Sequence, residues 1–132
     1  MNLLLDTHIW IWSVGERRRL ASRVLRELTN TENQLWLSPI SVWEVQFLYR
    51  KRRIELDGMD VETWTRRALE VRPLNEATLT VDVVLEIPKL NLEHGDPGDH
   101  FLVATAKVFG LTMVTSDERI IRSADVPILA NR

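Results

Sequence analysis

The strongest constraint on the fold of this chain is a series of short apolar runs that alternate with longer segments of helical periodicity. Residues 3–5 are three consecutive leucines, and residues 34–37 and 111–115 are also largely apolar. Runs of this length predict buried strands, whereas apolar residues spaced three and four apart predict amphipathic helices. Strands that alternate with helices form a parallel sheet covered on both faces. We therefore expect an α/β fold with a central parallel sheet flanked by helices.

The predicted elements extend along the whole chain, and we expect residues 1–132 to form one domain. Strands are expected at residues 3–5, 34–37, 111–115 and 126–129, an extended segment at 73–74, and helices at 7–14, 17–28, 39–52, 60–71, 76–87, 97–109 and 118–123. Two helix starts have the clearest local signal. Ser38-Pro39 and Asp96-Pro97 each place a capping side chain before a proline at the first helical position.

The composition is that of an ordinary globular protein, with 45% hydrophobic and 27% charged residues. No apolar run approaches the ~20 residues that span a bilayer, and the first six residues lack the basic region of a signal peptide. The chain has no cysteine, which excludes disulfides and thiolate metal sites. We therefore expect no membrane association, and the lack of cysteine fits the reducing cytoplasm.

Acidic residues follow the predicted strands and begin the predicted helices. Asp6 ends the first apolar run, and Asp117 follows Thr115 and Ser116 at the end of a later strand. Ligands of parallel sheets bind outside the carboxyl ends of the strands. We expect these acids to meet there with Glu44, one turn inside its helix, and with Asp99.

Each acid also has a structural interpretation. Asp6 and Asp117 could cap the helices that follow them. Asp96 could cap its helix while Asp99 complements the helix dipole, and Glu44 could bond locally to Ser41. None of the acids is strong evidence alone.

Several carboxylates at one edge of a sheet repel one another, and each raises the pKa of its neighbours. A divalent cation removes that repulsion. Oxygen ligands without cysteine favour Mg²⁺ or Mn²⁺ over zinc. Such a site hydrolyses phosphodiesters, because the metal orients a water and stabilises the leaving oxygen.

The net charge of −2 gives no overall attraction to nucleic acid, but basic residues cluster locally. One cluster is residues 17–19, and the other is Arg50, Lys51, Arg52 and Arg53. Arginine binds phosphate through a planar fork, so the second cluster is a candidate RNA contact. A solvated helix face is an equally good interpretation of each cluster.

Histidine and tryptophan complete the list of candidate residues. The three histidines, His8, His94 and His100, could be acid–base groups or phosphate contacts, although a structural or surface role is favoured for each. We expect most of the five tryptophans in the core, among them Trp10, Trp12, Trp36 and Trp43.

Four segments together resemble PIN-domain ribonucleases, in particular the toxins of VapBC-type toxin–antitoxin pairs. They are Leu4-Leu5-Asp6-Thr7-His8, Ser38-Pro39-Ile40-Ser41-Val42-Trp43-Glu44-Val45, His94-Gly95-Asp96-Pro97-Gly98-Asp99 followed by Leu102-Val103-Ala104-Thr105-Ala106, and Leu111-Thr112-Met113-Val114-Thr115-Ser116-Asp117. Their order and spacing span nearly the whole chain. The combination is specific, although no single segment is.

The resemblance implies a three-layer α/β sandwich and a catalytic, metal-binding set of four acids. These acids correspond to Asp6, Glu44, Asp99 and Asp117, with Asp96, Thr115 and Thr7 as supporting residues. Thr115 is expected to orient a carboxylate or the attacking water. The resemblance also implies an RNA substrate, a homodimer and a small antitoxin that blocks the site.

Two residues depart from the family pattern. Gly98 stands where a bulky apolar residue is common, which leaves more room beside Asp99, and His100 stands where arginine is common. A phosphatase that uses Asp6 as nucleophile is disfavoured, because its second acid would be expected where His8 stands. A catalytically silent PIN-like module that only binds RNA or protein is the alternative of another class, and the four retained acids argue against it.

Overall fold

The computed structural model describes residues 1–92 and 95–132, and a parallel sheet organises the described chain. The strands are β1 (Asn2–Leu5), β2 (Gln34–Leu37), β3 (Asn75–Glu76), β4 (Thr112–Thr115) and β5 (Ile128–Ala130). The helices are α1 (Thr7–Gly15), α2 (Ser22–Thr29), α3 (Pro39–Arg50), α4 (Val61–Glu70), α5 (Val81–Glu86), α6 (Pro97–Phe109) and α7 (Glu118–Ser123), with 3-10 turns at Arg17–Arg19 and Ile87–Lys89.

The sheet has the strand order β3-β2-β1-β4-β5, and every pairing between neighbours is parallel. The first strand is therefore central, with Leu3 paired to Leu35 on one side and to Thr112 on the other. Strands β2 and β3 lie on one side of β1, and β4 and β5 lie on the other. The direction in which successive strands are added therefore reverses between β1 and β4. Ligand clefts of open parallel sheets form at such a reversal, and this one has Asp6 at its edge.

The three leucines of β1 are fully buried, because helices cover both faces of the sheet. Side chains alternate across a strand, so Leu3 and Leu5 pack on one face with Trp10 and Val45, from α1 and α3. On the other face Leu4 packs with residues of α6 and α7, namely Leu102, Val103, Ala106 and Ile120. This arrangement confirms the expected α/β sandwich of three layers.

The predicted helix at residues 17–28 is wrong in its first turn. Residues Arg17–Arg19 form a 3-10 turn, and α2 begins only at Ser22. The break occurs because Asn131, near the other end of the chain, accepts a hydrogen bond from the Ala21 N–H at 2.6 Å and donates one to the Arg19 carbonyl. Leu20 is buried together with Val24 and Leu28, although it precedes α2. Its spacing from these two residues is that of a helix, which is why the sequence predicted one here.

The predicted helix at residues 76–87 also begins too early. Asn75 and Glu76 form β3, which extends the sheet beside β2 through an Ala77 N–H bond to the Leu37 carbonyl at 2.9 Å. The helix starts only after Thr80, whose hydroxyl accepts from the Val83 N–H. Both residues of β3 are exposed, so the strand carries no apolar alternation that would have predicted it.

The tryptophans are less buried than expected. Trp10 and Trp64 lie in the core with their rings 5.2 Å apart. Trp12 and Trp36 are only partly buried, and Trp43 is 53% exposed. The expectation of a core position is therefore wrong for Trp43, which borders the cleft described below. Across residues 1–92 and 95–132, no helix has both the length and the apolar character needed to cross a bilayer.

Candidate active site

A cleft of about 650 Å³ opens at the carboxyl ends of β1 and β4. It is lined by Asp6, Thr7, His8, Trp12, Trp43, Glu44, Phe47, Leu48, Arg53, Asp96, Pro97, Gly98, Asp99, Ser116, Asp117 and Arg119. Five of these residues are acids, and they come from four separate parts of the chain. The structure thus brings the four predicted catalytic acids and Asp96 to one place.

Asp6 is tied to both central strands. Its N–H donates to the Val114 carbonyl of β4 at 2.9 Å, and its Oδ1 accepts from the Thr7 N–H at 2.8 Å. Its Oδ2 accepts from Thr115 Oγ1 at 2.6 Å, and the same hydroxyl accepts from the Asp117 N–H at 3.0 Å. Thr115 therefore orients a carboxylate, one of the two roles expected for it.

Burial is the main reason that the pKa of Asp6 is raised. The hydrogen bonds from Thr115 and Thr7 and the charge of His8 oppose the rise, and the charge of Asp117 adds to it. A buried carboxylate costs free energy unless it is paired, hydrogen-bonded or bound to a cation. Asp6 caps α1 as the structural interpretation predicted, but a cap alone does not require this burial.

Glu44 projects from α3 towards the start of α1. Thr7 Oγ1 donates to Glu44 Oε1 at 2.5 Å and lies 3.0 Å from the buried Ser41 Oγ. The local Ser41–Glu44 bond considered from the sequence is thus replaced by a bond across the cleft. Burial raises the pKa of Glu44 to about 7, and the charges of Asp6, Asp99 and Asp96 add to the rise against the Thr7 hydrogen bond.

Gly98 allows Glu44 to lie against the first turn of α6. A Cβ at position 98 would contact the Glu44 carboxylate, with the carboxyl carbon only 2.8 Å away. The space that this glycine leaves was expected beside Asp99. The structure shows that the Glu44 carboxylate occupies it. A larger side chain at position 98 would move the Glu44 carboxylate.

Asp96 and Asp117 cap helices and also line the cleft, whereas Asp99 lines the cleft but is buried. Asp96 accepts from the Gly98 N–H at 3.0 Å and Asp117 from the Arg119 N–H at 2.8 Å, so both cap helices as expected. Asp99 is only 6% exposed. Burial alone would raise the pKa of Asp117, but hydrogen bonds and charge from Arg119 lower it.

Comparison with known proteins identifies the family. The PIN domain family matches residues 3–126. This chain belongs to the PIN-domain family. It is 29% identical to Ribonuclease VapC22 of Mycobacterium tuberculosis over 119 residues, which are 89% of this chain and 88% of that protein.

Solved structures show the same fold. VapBC2 from Rickettsia felis, bound to a DNA fragment from its promoter, aligns with a TM-score of 0.74 at 15% identity and covers 100% of both chains. A toxin–antitoxin complex from Klebsiella pneumoniae aligns with a TM-score of 0.66 at 23% identity over 97% of this chain and 96% of that one. The expected resemblance to PIN domains is confirmed.

The donor set of this PIN-domain cleft fits a divalent cation, since it consists of carboxylate oxygens, and burial together with the charges of neighbouring carboxylates raises the pKa of Glu44. In the part of the chain that the structure describes, no three Asp, Glu or His side chains are arranged so that they could hold one ion together. Threonine hydroxyls and Arg119 bind the carboxylates instead. Side-chain rotation would have to accompany metal binding.

The basic cluster at the end of α3 is divided by the fold. Arg53 lines the cleft, whereas Arg50, Lys51 and Arg52 are exposed outside it. The predicted helix to residue 52 ends at Arg50, and Arg52 adopts a positive φ of 58°. Of the four candidate RNA contacts, the structure places only Arg53 beside the acids.

The cluster at residues 17–19 lies outside the cleft. Arg19 pairs with Glu16 at 2.8 Å and lies over the Trp12 ring. Of the histidines, His8 lines the cleft and packs on Trp12 at 5.6 Å, His100 does not line it, and His94 falls outside the described residues.

Sequence reasoning missed Arg119 and the aromatic wall of the cleft. Arg119 follows Asp117 by two residues in the first turn of α7, and this spacing was the available signal. The exposed Trp43 and Phe47 lie one turn apart on α3 with ring centroids 6.4 Å apart. Only the packing of α3 shows that this pair borders the cleft instead of the core.

Proposed function

We propose that this PIN-domain chain, residues 1–132 as one domain, is an Mg²⁺- or Mn²⁺-dependent endoribonuclease and the toxin of a type II toxin–antitoxin pair. The observation that carries the proposal is the convergence of Asp6, Glu44, Asp99 and Asp117 in one cleft from four parts of the chain. The relative named Ribonuclease VapC22 supports the activity, and the neighbouring toxin–antitoxin complexes support the biological role.

In this proposal the four acids hold the cation. Once bound, it would polarise a phosphodiester, orient the attacking water and stabilise the leaving oxygen. Thr7 and Thr115 keep the Glu44 and Asp6 carboxylates directed into the cleft. Asp96 supports the site by capping α6 and by adding negative charge near Glu44.

Glu44 controls the proton balance of the cleft. Burial raises the pKa of Glu44 to about 7, so this carboxyl group takes up and releases a proton near neutral pH. The deprotonated form is the one that binds a cation, so Glu44 releases this proton when the cation binds.

Arginine and aromatic side chains would hold the RNA. Arg53 and Arg119 line the cleft and provide planar donors for backbone phosphates. Trp43 and Phe47 are exposed on the same side and offer faces on which bases stack. Their number and placement favour an unpaired RNA strand, whose bases are free to stack.

We also propose a small antitoxin partner, a homodimer and action in the cytoplasm. The structural relative from Klebsiella pneumoniae is described as a toxin–antitoxin complex. Around α5 the chain exposes an apolar surface that could serve such contacts, consisting of Leu79, Val81, Val84 and Leu85.

The activity is tested with purified protein and single-stranded RNA. We expect cleavage with Mg²⁺ or Mn²⁺ and complete loss of cleavage with excess EDTA, restored when the metal is returned. Undiminished cleavage in EDTA would contradict the metal mechanism. RNA binding without cleavage in either metal would instead support the silent RNA-binding module.

The RNA contact of Arg53 gives a second prediction. Arg53→Ala should weaken RNA binding and reduce the slope of log affinity against log salt by about one unit, because one phosphate contact is lost. Arg52→Ala is the matched control, since Arg52 is adjacent but does not line the cleft. Filter binding at several salt concentrations measures both, and an unchanged slope for Arg53→Ala would assign the cluster to a solvated surface.

A further inference from the structure

Arg119 contacts two of the acids that face the cleft. Its Nη2 lies 3.1 Å from Asp117 Oδ2 and 3.9 Å from Asp99 Oδ2. Asp117 follows β4 and Asp99 lies in the first turn of α6, so the guanidinium links the start of α6 to the start of α7. The Arg119 side chain is 52% exposed, whereas that of Asp99 is 8% exposed. A half-exposed cation therefore lies beside a buried anion.

The two sides of the cleft differ in how their charge is compensated. Asp6 and Glu44 are held by threonine hydroxyls, which carry no charge, and the pKa of each is raised. Asp117 is held by Arg119, and its pKa is lowered. The guanidinium thus supplies a direct positive partner on one side of the cleft, whereas neutral hydroxyl groups bind the carboxylates on the other.

We propose that Arg119 is an internal counter-ion of the acid cluster, and that a divalent cation must displace it from Asp99 and Asp117 to bind. This inference rests on the proposed metal-dependent function and concerns the regulation of the same site. A guanidinium and a metal ion attract the same carboxylate oxygens and repel each other at this separation. Arg119 therefore lowers the metal affinity of the cleft while stabilising the metal-free fold.

Displacement leaves Arg119 close to the site. It is anchored two residues after Asp117 at the start of α7, so its released side chain stays at the rim of the cleft. Arginine binds phosphate oxygens in a fork geometry. The same side chain is then available to the RNA backbone only when metal has taken its place on the acids.

The test compares Arg119→Gln with the unsubstituted parent by calorimetric titration of Mn²⁺ at low ionic strength. Removing the competing charge should tighten Mn²⁺ binding by about fivefold, as expected for a partly exposed ion pair. Arg119→Lys keeps the charge and should stay within about twofold of the parent. Arg132→Gln is the matched control, because Arg132 pairs with Glu118 of α7 at 2.8 Å outside the cleft, and its Mn²⁺ affinity should not change.

Melting curves supply a second readout that a purely structural role of Arg119 would not produce. In EDTA, Arg119→Gln should melt below the parent, yet Mn²⁺ should raise its melting temperature by more than it raises that of the parent. Equal or weaker Mn²⁺ binding by Arg119→Gln would overturn the counter-ion inference alone. Absence of Mn²⁺ binding by the parent would overturn the proposed metal site and this inference with it.

Discussion

Asp6→Asn should reduce RNA cleavage by at least about a thousandfold, because the proposed metal site loses one of its anionic ligands. The shape of the side chain is preserved. Asparagine Oδ1 still accepts from the Thr7 N–H, and its amide nitrogen donates to Thr115 Oγ1 in place of the present bond. A cleavage time course with Mg²⁺ measures the loss directly.

The same variant should be more stable than the parent when no metal is present. Burial raises the pKa of Asp6, and Asp117 adds repulsion, so removing the charge relieves an unfavourable interaction. We expect a gain of about 1 kcal/mol in EDTA, the usual size when strain at a functional site is removed. Added Mg²⁺ should raise the melting temperature of the parent more than that of the variant, since a ligand stabilises only the state that binds it.

Asp60→Asn is the matched control for Asp6→Asn. Asp60 also caps a helix, accepting from the Thr63 N–H at 2.8 Å at the start of α4, but it is exposed and lies outside the cleft. Its replacement should leave cleavage and the Mg²⁺ response unchanged. If Asp6→Asn behaves like this control and cuts RNA at the parent rate, Asp6 is only a helix cap.

Glu44→Gln should stabilise the metal-free protein at pH 8 but have little effect at pH 5. The pKa of Glu44 rises from its ordinary value of 4.5 to about 7 on folding. Between these values the folded state binds more protons than the unfolded state, so stability falls as pH rises and stays low above pH 7. Glutamine carries no charge at any pH and escapes this loss.

The expected gain for Glu44→Gln at pH 8 is about 1–2 kcal/mol. A pKa shift is worth about 1.4 kcal/mol per unit, and we reduce the total because Glu44 is partly exposed. Thr7 can still donate to the glutamine oxygen, so the packing is preserved. Urea unfolding in EDTA at both pH values measures the difference.

Glu62→Gln is the control for this pH dependence. Glu62 is 80% exposed on α4 and only 3.7 Å from Arg66, so its replacement should alter stability little and equally at both pH values. A gain for Glu44→Gln that is the same at pH 5 and pH 8 would show that charge burial at Glu44 does not destabilise the fold.

Local signals in the sequence predicted much of the fold. Strand β2 and helix α7 have the bounds expected from their apolar runs and caps. Helix α6 begins at Pro97, after its cap Asp96, and ends at Phe109. Gly110 then has a φ of 67°, the left-handed conformation that glycine readily adopts. Each of these features depends on residues within about one turn of each other, so the local sequence is sufficient to predict it.

The errors arose where distant residues override local preference. Asn131 breaks the predicted second helix at Ala21, 110 positions away in the sequence. Strand β3 forms because its backbone pairs with β2, although both of its side chains are exposed. Hydrogen bonds of this kind satisfy backbone groups through tertiary contacts, and no periodic pattern records them.

For the candidate site, the sequence by itself determined the identity of the acids and their positions at strand ends and helix starts. Parallel strands share one carboxyl edge, so the general place of the cleft followed. Only the tertiary structure decided which groups bind the carboxylates of these acids. Thr7 donates a hydrogen bond to Glu44, 37 positions away, and Thr115 donates one to Asp6, 109 positions away. The Arg119 guanidinium lies near Asp99. The pKa of a carboxyl group depends on burial and on neighbouring charges, and only the folded chain creates these surroundings.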